Sequence, residues 1–192
     1  PDGAMTLSAL PDFTSLQYTW AANQIGSLTV DLPGTYDHRL FPVDGRIEVH
    51  RAVDADHAEY LEMDTVWFAR YPRRIITDAG ERLLRVTAFS ATELLNRRIV
   101  LYAAGSSQAQ KTDQADDMMK AIVRENLSGS LSGSYGSGAS RVDLATWLSV
   151  EPDTSAGPSV TKGFAWRNVL AVLQDLALDS LTGGTWLGFD IV

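Results

Sequence analysis

A chain of 192 residues, 45% of them hydrophobic, can bury one sizeable core or two small ones, and two joined subdomains fit it best. Its 16 basic and 24 acidic residues leave a net charge of -8, which repels a polyanion and sets general or specific nucleic-acid binding aside. Cysteine is absent, so disulfides, thiolate metal sites and cysteine nucleophiles are excluded, and no apolar run approaches the roughly 20 residues that span a bilayer.

Gly3-Ala4 before Met5 reads as a cloning remnant, without a basic start leading into an apolar segment as in a signal peptide. Leu16, Tyr18 and Trp20 alternate with polar neighbours, as do Leu28, Val30 and Leu32, which predicts two strands broken around Asn23 to Gly26. Pro33-Gly34 ends the second. After a loop through Tyr36, Asp37 and Leu40, the pair Asp44-Gly45 precedes a third predicted strand, Arg46 to Arg51, with Ile47 and Val49 inward. Asp54 to Glu59 reads as a loop. Thr65 to Thr77, the turn Asp78-Ala79-Gly80 and Glu81 to Phe89 form a hairpin in which Pro72 requires an edge or a bulge. Short strands and polar turns with no long helix before residue 90 predict an antiparallel β-barrel or sandwich over residues 6–100.

The composition then changes to a smaller, helix-rich α/β segment over residues 101–192, making the whole α+β. Thr112 to Asn126 sets Ala115, Met118, Met119, Ile122 and Val123 on one helical stripe. Asp113, Asp116 and Asp117 near its start and Lys120 and Arg124 towards its end suit the helix dipole. The Gly/Ser-rich run 128–140 has too little apolar surface to offset roughly 1–2 kcal/mol of backbone entropy per residue, so it is expected to be mobile. A second helix is expected over Ala165 to Ser180, with Trp166, Val169, Leu170, Leu173, Leu176 and Ala177 on one face and Gly183-Gly184 at its exit. Leu187, Phe189 and Ile191 alternate as a strand whose partner is missing, so a longer protein with a second barrel is expected.

No recognisable chemistry assembles along this chain, and neither enzyme activity nor a cofactor is expected. Gly129 to Gly133 has Leu131 where a nucleophile elbow needs its Ser, and Gly136-Ser-Gly138 has Arg141 in place of the third Gly of a dinucleotide fingerprint. His38, His50 and His57 stand apart from any Ser and carboxylate motif. Asp54 to Glu59 lacks the Gly and distal Glu of a calcium loop. Asp116 and Asp117 lie about 100° apart around a helix and do not converge on one ligand. Asn126-Leu-Ser128 matches a glycosylation acceptor only by chance.

Arg70, Arg73, Arg74, Arg82, Arg85, Arg97 and Arg98 face only Asp78, Glu81 and Glu93 around the hairpin, a local positive excess in an acidic chain. The candidate interface residues are therefore Trp67, Tyr71, Arg73, Arg74, Arg97 and Arg98, with Trp67, Phe68 and Tyr71 divided between core and surface by the strand's alternation.

Asn23 to Pro33, Leu40 to Arg51, the Thr65 to Phe89 pair and Leu94 to Arg98 together resemble the opening domain of siphovirus tail proteins related to the baseplate hub, and Ala115 to Asn126 and Phe164 to Leu170 resemble the helices that follow it. The likeness spans nearly the whole chain, although Val66 to Arg70 lacks the Gly that in hub domains often enters this strand at a barrel-turning bulge. It implies a structural virion protein, a homotrimeric hub closing the tail tube against the distal tail ring and the tape-measure protein. The other readings are a cell-surface or carbohydrate-binding module stacking sugars on Trp67, Tyr71 or Trp147, and a domain of a tail-associated hydrolase whose catalytic residues lie elsewhere.

Overall fold

The computed structural model describes residues 9–52, 54, 58–62, 65–101, 107–127 and 148–191, and the fold is α+β. The chain divides into two compact units, Pro1–Ala91 with Asp190–Val192, and Thr92–Phe189. The division at 91/92 falls ahead of the expected boundary at 100, because Leu94 to Arg98 belongs to the second unit.

In the first unit β1 (Ser15–Thr19), β2 (Ser27–Pro33), β3 (Arg46–Ile47), β6 (Trp67–Ile76) and β7 (Arg82–Ser90) form one antiparallel sheet in the order β1-β2-β7-β6-β3, curled into a half-barrel. The expected third strand is split. Ile47 pairs with Trp67 in the large sheet, whereas β4 (His50–Arg51) pairs with β5 (Tyr60–Leu61) in a separate ladder. Glu48 sits at the switch and holds Arg46 at 2.7 Å and His50 at 2.8 Å, so one carboxylate keeps the strand extended while it changes partners. Ile47 and Val49 pack on the core, as their alternation predicts.

Alternation builds that core. Leu28, Val30 and Leu32 on β2, Leu84, Val86 and Ala88 on β7 and Trp67 and Ala69 on β6 are buried on the concave face. A Cβ on Gly26 would lie 2.9 Å from the Thr19 carbonyl oxygen and 3.1 Å from the Trp67 ring, so the backbone passes too close for any other residue. The β6–β7 hairpin closes where Thr77 N–H donates to Glu81 O (2.9 Å) and Gly80 N–H to Thr77 O (2.8 Å), with Gly80 at φ 81 supplying the left-handed residue of a three-residue loop. The bulge required by Pro72 lies between Ala69 and Tyr71, formed without a glycine.

In the second unit a short helix α1 (Glu93–Asn96) precedes β8 (Ala109–Gln114), α2 (Ala115–Leu127), β9 (Ser159–Phe164) and α3 (Val169–Thr182). The first expected helix starts three residues late, because 112–114 are strand and pair with β9. The second starts at Val169, where the Asn168 side chain caps the helix by accepting from Ala171 N–H at 3.3 Å. Trp166 therefore leaves the predicted stripe: it lies outside the helix at φ 56 and is 71% exposed. The rest of that stripe is buried with Met118, Met119 and Ile122 of α2, against which α3 packs. Leu173→Asp should accordingly cost this unit at least ~3 kcal/mol by placing an unpaired carboxylate among apolar groups; an unchanged thermal midpoint would show that the assigned face is wrong.

Trp186 to Ile191 keeps its alternation in burial but pairs with no strand among the described residues. The Gly/Ser-rich run 128–140, His57 and Trp147 lie outside the described residues. The Asn126 side chain is engaged within the fold, accepting from Leu101 N–H at 3.0 Å and donating to Ile122 O at 2.8 Å.

Candidate interaction surface

The register of the half-barrel lays its convex face out in rows. Ser15, Asp31, Arg85 and Arg73 form one, and Thr29, Thr87 and Tyr71 the next with Gln17; Phe68 and Phe89 pair beyond them. Opposed arginines at Arg73 and Arg85 should repel. Both are turned aside. Arg85 forks onto Asp31 with Nε to Oδ1 and Nη2 to Oδ2 each at 2.8 Å, and Arg73 lies 5.8 Å from the centre of the Tyr71 ring.

The bulge decides which aromatic faces out. Trp67 and Ala69 point into the core, and one extra residue at Arg70 returns Tyr71 to the convex side opposite Thr87. Trp67 is only 1% exposed and its ring centre is 6.1 Å from that of Tyr18, so its assignment to an interface or a sugar platform is corrected: it is core. Tyr71, at 55%, is surface.

The basic excess is smaller than the sequence suggests. Arg70 pairs with Asp44 at 3.3 Å, Arg85 with Asp31, and Arg74 donates to the Gly34 carbonyl at 3.1 Å. Arg97 and Arg98 belong to the second unit, half-buried beside α1, with Arg97 3.8 Å from Glu93 and the Arg98 carbonyl accepting from Val169 N–H at 2.8 Å. The six candidate residues therefore do not form one patch. Tyr71, Arg73 and Arg74 remain on the hairpin, where Arg73 and Arg74 have no ion pair among the described residues.

Neither the protein-family models nor the curated proteins match this chain. Among the described residues no three His, Asp or Glu side chains are grouped to hold a metal ion, and no helix is long and apolar enough to cross a membrane.

The acidic pair on α2, expected to serve only the helix dipole, has a second role. Asp116 and Asp117 are both buried, and both seize the segment 154–155. Asp117 accepts from Thr154 N–H at 3.0 Å, Ser155 N–H at 3.1 Å and Ser155 Oγ–H at 2.9 Å; Asp116 accepts from Thr154 Oγ1–H at 2.7 Å. Lys120 donates to Pro152 O at 2.8 Å and Arg124 forks onto Asp153, extending the clamp along one side of the helix. Burial works to raise the Asp116 carboxyl pKa, but hydrogen bonds from Thr154, Ala156 and Asp117 together hold it below its ordinary value. The Arg124 hydrogen bond lowers Asp153.

Carboxylates lowered in the folded state stabilise it above their unfolded pKa and lose that contribution as pH falls through the folded value. Urea midpoints of the second unit should thus be flat from neutral pH to about 5 and decline below about 4. Midpoints that rise on acidification would contradict the clamp.

Proposed function

We propose that this protein is a structural component of a phage tail tip or baseplate hub, carried in the virion. The observation that carries this reading is a sheet curled only halfway round its core, leaving β1 and the distal part of β6 as strand edges with no main-chain partner among the described residues. Unpaired edges are completed by neighbours or have to be guarded against them. The resemblance of the hairpin and its flanks to tail hub domains supplies the particular assembly: three copies closing the tube, docked on the distal tail ring and the tape-measure protein. Of the platforms of the sugar-binding alternative, Trp67 is in the core, the Tyr71 ring is engaged by Arg73, and Trp147 lies outside the described residues.

Light scattering of the chain alone and mixed with the distal tail protein of the same phage tests the proposal. Self-association or a stable mixed complex is expected. A strict monomer at high concentration that also ignores the distal tail protein would overturn it.

A further inference from the structure

The two edges of the half-barrel are not alike. Beyond Ala69, β6 carries three devices that discourage strand addition: the bulge at Arg70, Pro72 without an N–H, and the arginines at 73 and 74. β1 carries none. From Phe13 to Trp20 the sequence holds no charge and no proline, and Phe13 and Trp20, 49% and 41% exposed, flank the strand. Residues 15–19 are bonded to β2 on one side only among the described residues.

β1 is also complementary to itself. A two-fold axis through Gln17 sets Ser15 opposite Thr19 of a second copy, Leu16 opposite Tyr18 and Gln17 opposite Gln17. In this register the apolar pair continues the core face and the hydroxyl and amide residues continue the convex face; a slip of one residue would mix them. Asp31, the acid in the row of Ser15, is matched by Arg85, whereas Asp12 and the Asp190 held by the Trp20 indole stand at the two ends of the strand, so the association should strengthen as salt screens them.

We propose that β1 is a self-pairing edge, joining two copies of this chain through an antiparallel β1–β1 ladder centred on Gln17. The inference rests on the reading of the protein as an assembly component and names one of its contacts. A two-fold contact cannot close a ring of three, so it is separate from whichever surface would do so. A five-residue ladder buries less than the roughly 1,200 Å² of a standard interface, so the association is weak and depends on concentration.

The absence of cysteine makes the test clean. Directly opposed residues of an antiparallel pair have Cα atoms roughly 4.5–5.5 Å apart, within disulfide reach, whereas two Thr19 residues in this register would lie about 13 Å apart. Under mild oxidation Gln17→Cys should therefore cross-link into dimers at least tenfold faster than Thr19→Cys. Gln17→Lys, which sets two like charges face to face on an exposed position, should remove the concentration-dependent rise in mass seen for the parent chain while keeping its circular dichroism. Equal cross-linking at both positions, or self-association that survives Gln17→Lys, would overturn the β1 ladder and leave the assembly reading standing. Binding of the distal tail protein that is lost in Gln17→Lys, with a parent chain that does not self-associate, would reassign the edge to that partner. A parent chain that neither self-associates nor binds the distal tail protein would remove both proposals together.

Discussion

Trp67→Ala should remove about 3–5 kcal/mol from the half-barrel, a large share of the total for a domain of this size. The indole is nearly inaccessible, lies against the Tyr18 ring, and is approached closely by the chain at Gly26, which has no side chain of its own to fill the space it leaves. The loss is therefore a transfer term plus a term for the cavity left behind. Tyr71→Ala, four residues along the same strand, should cost under about 1 kcal/mol, since only a cation–π contact and partly solvated area are lost. Chemical denaturation of the two variants reads the difference directly. Comparable small losses in both would mean that the core is centred elsewhere and that the bulge at Arg70 does not reverse the strand's faces.

The second large effect belongs to the clamp on α2. Asp117→Ala leaves the main-chain N–H groups of Thr154 and Ser155 and the Ser155 hydroxyl without their acceptor, and should cost about 3 kcal/mol or more. Asp117→Asn keeps the oxygen that serves both N–H groups and can donate to the Ser155 hydroxyl, so it should retain most of the stability. Ser155 adds to the contrast because it sits at φ 53, a conformation that costs a non-glycine residue on the order of 1 kcal/mol and persists only while it is held. Hydrogen exchange at 151–156 should accelerate strongly in Asp117→Ala and little in Asp117→Asn. Equal protection in the two variants would show that Lys120 and Arg124 alone fix the segment.

The half-barrel was legible because its strands obey a two-residue period: Leu28, Val30 and Leu32, and Leu84, Val86 and Ala88, announce both the strands and the face they bury. Pro72 announced the bulge, but not that the bulge would separate Trp67 from Tyr71, which plain alternation places on one face. The β8–β9 ladder was invisible for the opposite reason. Lys111, Thr112, Asp113 and Gln114 carry no apolar alternation, and the ladder they form with 159–162 rests on main-chain bonds and a Thr112–Thr161 hydroxyl contact of 2.9 Å. Trp166 has the spacing of the α3 stripe but precedes the capping Asn168, a start signal already present in the sequence. The clamp escaped because adjacent carboxylates on a helix diverge from any single atom; here they meet two adjacent residues, Thr154 and Ser155, which diverge equally. The surface arginines were read as a group by their closeness in sequence, whereas the division at 91/92 places Arg97 and Arg98 in the other unit.

The order in which the chain is made gives the nested arrangement of the units a meaning of its own. All seven strands described in the first unit are synthesised by Ser90 and clear the ribosomal exit tunnel while the second unit is still being translated, so the sheet can fold vectorially before the interrupting unit is complete. One bond must wait: the Trp20 indole donates to Asp190 Oδ2 at 2.6 Å, a partner born 170 residues later. Trp20 fluorescence in nascent chains of increasing length would therefore report two events, an early one when the strands zip together and a late one when the returning acid arrives.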